Sequence, residues 1–158
     1  MKNRCGRSML LLALALFVVA AQRPAGAQAG GGRIDGTWDI TLTVRVCATG
    51  APIVTISELV TFHAGGTLTS STTGFPQSAK TPGHGVWSHV SDQTYAYSLK
   101  FFRFDATGAY VGWSVARQHA LLDSKGDEYT SEGGIEIYNT AGALVASGCS
   151  TSVASRFQ

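Results

Sequence analysis

From Gly36 onward the chain is written in short runs of alternating apolar and polar positions, with helical periodicity nearly absent. In "GTWDITLTVRVC" the residues Trp38, Ile40, Leu42, Val44 and Val46 share one face, and in "VTISELVTF" Val54, Ile56, Val60 and Phe62 do. Runs rich in Val, Ile, Thr, Tyr, Phe and Trp predict eight strands, over 36–47, 53–63, 67–72, 85–90, 94–105, 109–121, 128–138 and 144–157. Three connectors share one design: "DATG" at 105–108, "DSKG" at 123–126 and "NTAG" at 139–142. Asp or Asn at the first turn position bonds the backbone ahead of it, and Gly at the fourth supplies a positive φ. "HAGG" and "SDQT" read as two further tight connections, so consecutive strands pair antiparallel. The pattern predicts an all-β protein, an eight-stranded antiparallel up-and-down barrel closed by pairing of its first and last strands. One long connector, "TGFPQSAKTPGHG" at 73–85, is placed to cover a barrel mouth.

The residues before this pattern read as an export signal. Lys2, Arg4 and Arg7 precede the apolar run "MLLLALALFVVAA", and Ala25-Gly26-Ala27 and Ala27-Gln28-Ala29 each fit a cleavage site. The expected organisation is a signal peptide over 1–27 (cleaved after Ala27 or Ala29), a flexible lead-in over 28–34 and one barrel domain over 35–158. An exported protein of the periplasm or extracellular space follows, with no membrane span once the signal is removed. Cleavage also removes Lys2, Arg4, Arg7 and Arg23, leaving eight basic against ten acidic residues, a net charge of −2. A mildly acidic domain with scattered cations lacks the electrostatic footprint of a nucleic-acid binder.

Two cysteines remain after Cys5 of the signal, and an even pair in an exported chain predicts one disulfide, Cys47–Cys149. Setting these two opposite each other in the closing strand pair puts Arg156 two positions diagonal from Trp38. Both would then face inward while the cysteines face outward.

Gly36-Thr37-Trp38 on the first strand with Arg156 on the last resembles the lipocalin and wider calycin barrels, in which Trp and Arg pack across the closed end. The resemblance implies structural roles for Trp38 and Arg156. The stretches "TFHAGGTL", "PGHGVW" and "FFRFDATG" are also similar to a group of small exported bacterial proteins. By size and strand count alone, the chain is similar to barrels of the allene oxide cyclase and dirigent type.

Candidate chemistry rests on polar residues set among apolar ones. Glu58 shares its face with Val54, Ile56, Val60 and Phe62, so its carboxylate is expected to point inward, with a partner or a raised pKa. The same reading of "YVGWSVARQHALL" puts Val111, Trp113, Val115, Arg117, His119 and Leu121 on one inward face, and "TYAYSLKFFRFD" aligns Tyr95, Tyr97, Leu99, Phe101 and Arg103. Arg117 is the first expected partner of Glu58, and Arg103 the second. These residues outline a pocket with walls from Phe62, Trp87, Tyr95, Tyr97 and Trp113, and with Glu58, Arg103, Arg117 and His119 as orienting groups. The expected function is a monomeric barrel holding a small hydrophobic or amphipathic molecule. Two alternatives stand beside it. One is a cyclase or isomerase using Glu58 and His119 for acid–base chemistry; the other is a barrel filled by its own side chains. His63, His84, His89 and His119 have no metal-ligand spacing, and neither a metal nor a cofactor is expected.

Overall fold

The computed structural model describes residues 33–158. The expected signal peptide and most of the lead-in therefore lie outside the described residues. Eight strands follow in order: β1 (Gly36–Arg45), β2 (Pro52–His63), β3 (Thr67–Thr72), β4 (Gly83–Ser91), β5 (Thr94–Phe104), β6 (Tyr110–Leu122), β7 (Glu128–Tyr138) and β8 (Leu144–Arg156). Each pairs antiparallel with the next, and β8 pairs back onto β1 to close the barrel.

The short connections form for the reason their composition predicts. Asp105 Oδ1 accepts hydrogen bonds from the backbone N–H groups of Thr107 and Ala109, at 2.8 and 3.0 Å. Asp123 and Asn139 repeat the arrangement. The glycines closing these turns have φ of 82°, 79° and 81°, a region that costs other residues steric strain.

One end of the barrel is a packed floor. Ile34, Trp38, Val60, Phe62, Leu68, Leu122 and Tyr129 are all buried there. The Trp38 ring meets Tyr129 edge-on, with centroids 4.8 Å apart, and Trp38 Nε1 donates to the Ile34 carbonyl at 2.7 Å. Arg156 closes this end from outside. Its Cζ lies 4.4 Å from the Trp38 ring centroid, and its guanidinium donates to the carbonyls of Arg33, Asp35 and Gly126. The Gly of Gly-x-Trp owes its identity to this cap. Gly36 has φ of 124°, and a Cβ there would stand 2.7 Å from Arg156 Nη1. Ile34, fully buried, belongs to this floor, so the domain extends back into the stretch expected to be a flexible lead-in.

The closing register differs by two residues from the one the cysteines suggest. Trp38 lies directly opposite Arg156, and Cys149 lies opposite Arg45 rather than Cys47. The disulfide is nevertheless present, with a Cα–Cα separation of 5.1 Å. It forms because β1 ends at Arg45 and Cys47 sits in the turn beyond it, where Gly50 N donates to the Val46 carbonyl at 2.8 Å and folds the chain back. A slip of two keeps every side chain on its face, so the inward set of β1 is as expected.

A second difference changes the candidate site. On β6 the inward face is Gly112, Ser114, Ala116, Gln118, Ala120 and Leu122, and the other face points out. Trp113, Arg117 and His119 are therefore on the outside of the barrel, contrary to expectation. The cause is interior volume. Trp38, Phe62, Tyr95, Tyr97, Phe101 and Tyr129 arrive from β1, β2, β5 and β7, so the inward positions of β6 and β8 hold no aromatic ring and are mostly small. The displaced apolar residues cover the outer sheet, where Trp113 stacks on Tyr138 at 5.4 Å and Lys100 Nζ lies 4.5 Å from the Trp113 centroid.

Candidate functional site

The opposite end of the barrel, where the disulfide lies, is built differently. Its inward-facing side chains are Leu42 and Val44 from β1, Val54 and Ile56 from β2, and Ile135 and Ile137 from β7. These are apolar, yet five are only half-buried and Val54 is 49% exposed. Solvent reaches the inside of the sheet here, whereas the floor residues are sealed.

Between this mouth and the floor lies a polar layer centred on Glu58. It is on the inward face of β2, opposite Ile40 of β1 and Thr72 of β3. Glu58 keeps some contact with solvent, yet enough protein surrounds its carboxyl to push its pKa up to about 7. The Ser70 hydroxyl and the charge of Lys80 oppose that rise. Burial in turn lowers the pKa of Lys80, and the Glu58 charge resists this.

Lys80 is supplied by the long connector between β3 and β4, which does reach the mouth. A single 3-10 turn at Gln77–Ala79 ends in extended geometry at Lys80, which bridges to Arg103 on β5. Phe75 of the connector packs on Phe101 at 6.1 Å, and Lys80 Nζ lies 5.0 Å from the same ring. Lys80 is 5% exposed.

The layer continues across the barrel. Tyr97 and Tyr129 both feel the Glu58 charge, and burial raises both phenols well above their ordinary value. Beyond them Ser131 meets Ser152 at 2.7 Å, and Gln118 Nε2 donates to Ser150 Oγ at 2.7 Å. Two buried hydroxyls, Tyr129 Oη and Ser114 Oγ, have no partner in hydrogen-bonding geometry.

The expected site residues thus divide. Glu58, Phe62, Trp87, Tyr95, Tyr97 and Arg103 share the barrel interior, with Trp87, Tyr95 and Phe62 belonging to the floor half. Trp113, Arg117 and His119 do not join them. Arg117 pairs outside with Glu136, whose carboxylate also accepts from Tyr138. Neither Arg117 nor Arg103 is the charged neighbour of Glu58; Lys80 is. That residue lay in a stretch with no periodicity to assign it a face. Ser70, Gln118 and Tyr129 were also missed. The polar run "TSST" carries no apolar contrast, and Gln118 was hidden by the apparent apolar face of Val111 and Trp113.

In chemical terms the site sets partly exposed inward apolar side chains above a carboxyl, an ammonium and phenol hydroxyls, with the carboxyl pKa pushed up to about 7. The protein belongs by architecture to the closed eight-stranded antiparallel up-and-down barrels. Comparison with protein-family models, with curated proteins and with solved structures found no match to this chain.

Proposed function

We propose that this protein is an exported, monomeric barrel that binds one small apolar or amphipathic molecule through its disulfide-pinned end. The observation that carries the reading is the contrast between the two ends of one interior. Inward apolar side chains stay within reach of solvent at the mouth, directly above a layer that concentrates polar groups. Small-molecule sites share that composition, apolar walls with a few converging polar groups. The likeness of Gly36-Thr37-Trp38 and Arg156 to the calycin floor agrees with it. A disulfide suits an oxidising compartment, which supports export.

The test is native purification of the mature protein, organic extraction and mass spectrometry. A stoichiometric small amphiphile is expected. An empty extract, together with no shift in thermal midpoint across a panel of amphiphiles, would leave a barrel filled by its own side chains.

A second reading has one observation in its favour. A carboxyl with pKa of about 7 beside a phenol is suited to acid–base catalysis, so a cyclase or isomerase of a hydrophobic substrate would use Glu58. His119, on the outer surface, would take no part. Product formation lost in Glu58→Gln while binding survives would decide for this reading.

A further inference from the structure

The charges inside the barrel do not balance. Glu58 is the sole acidic residue on the inward faces of the eight strands, whereas Lys80 is buried over Phe101 in the mouth half and pairs through its backbone with Arg103, an inward position of β5. The other titratable groups facing Glu58 are Tyr97 of β5 and Tyr129 of β7, phenols kept neutral by burial. Inward positions of β1, β3, β6 and β8 at this level are uncharged. Among the described residues no carboxylate lies within salt-bridge distance of Lys80 or Arg103, so Glu58 acts on Lys80 across a gap rather than through a contact. The hydroxyls of Tyr129 and Ser114, each able to donate or accept, are also without a partner in this interior. Positive charge is in surplus, and the missing partner is an anion.

We propose that the molecule bound here carries an anionic head group, a carboxylate in the simplest case, received by Lys80 and Arg103 while Glu58 takes up a proton from solvent. Proton uptake follows from electrostatics. A second carboxylate brought beside Glu58 disfavours two like charges, and the one already poised to protonate near neutrality does so. A neutral Glu58 then changes from competitor to hydrogen-bond donor. The apolar part of the ligand lies outward, against Leu42, Ile56, Ile135 and Ile137. This inference rests on the reading of the interior as a binding site, and the following experiment separates the two.

Octanoate, octanol and octylammonium, which share one chain and differ in head group, are titrated calorimetrically into the mature protein at neutral pH. Octanoate is expected to bind about tenfold or more tightly than octanol, the worth of a charge-assisted hydrogen bond. Its heat should vary with the ionisation enthalpy of the buffer, reporting proton uptake. Lys80→Met should reduce octanoate to the affinity of octanol and leave octanol unchanged. Glu58→Gln should keep octanoate binding and abolish the buffer dependence. Octanol or octylammonium binding as tightly as octanoate would overturn the anionic head group and leave the binding role standing. Failure of all three to bind would remove the binding role itself. The comparison among ligands needs only the wild-type protein, so it survives a variant that does not fold.

Discussion

Glu58 is the residue whose environment conflicts most with its charge, and the conflict has a pH signature. Its folded pKa of about 7 lies above the ordinary 4.5, so the folded protein binds this proton more tightly than the unfolded chain does. The associated stability is fully present below the unfolded value and is lost as pH rises through about 7. Across that window the wild type should lose up to roughly 3 kcal/mol relative to Glu58→Gln, less to the extent that residual solvent screens the carboxylate. Urea midpoints of both proteins between acid and mildly alkaline pH check this; parallel curves would mean that Glu58 ionises freely. Trp38 presents the opposite case, a large side chain with every need met. Trp38→Ala should cost ~3–5 kcal/mol, since the ring is fully buried and its void cannot collapse against a closed sheet. An unchanged denaturation midpoint would exclude Trp38 from the core.

At the scale of single strands, β6 is the element whose alternation misleads. Val111, Trp113, Val115 and Leu121 give it an apolar face, yet that face is outside, and Ser114, Ala116 and Gln118 point in. Arg117→Ala and His119→Ala should each leave stability within about 0.5 kcal/mol and leave any bound amphiphile in place, as expected of exposed positions. Gln118→Ala should behave differently. It strips the partner from buried Ser150 and should cost about 1–3 kcal/mol. Equilibrium unfolding of the three variants distinguishes the two faces; a large loss from His119→Ala with none from Gln118→Ala would reverse them. The connector between β3 and β4 has the inverse character, irregular in pattern but specific in placement, because Phe75 and Lys80 both anchor on Phe101.

For the whole molecule the decisive feature is closure. Cys47 and Cys149 are 102 residues apart in sequence and join the two strands that complete the barrel. Removing the crosslink by Cys47→Ser with Cys149→Ser frees a long loop in the unfolded chain, a loss of up to ~4–5 kcal/mol in the chain-entropy model and often less. Thiol titration of the unfolded, unreduced mature protein should find no free thiol, and the serine pair should lower the urea midpoint. Two reactive thiols per chain would show that closure rests on β1–β8 hydrogen bonding alone.

Strand number, strand limits to within about two residues, hairpin chemistry and the inward aim of Glu58 were legible in the chain because each is local. Alternation has period two, and an Asx turn ended by Gly is complete within a few residues. The Cys47–Cys149 pair was legible because a chain read as exported is expected to pair its two remaining cysteines. Three things depended on the closed barrel. The exact β1–β8 register depended on where β1 ends, which placed Cys47 in a turn. The inward face of β6 depended on how much interior volume the aromatic residues of other strands had already taken. The identity of the cation beside Glu58 depended on the path of a connector without periodicity. Closing a sheet makes its interior one shared volume, so the occupant of each inward position is decided by side chains far away in sequence, and only the tertiary structure brings them together.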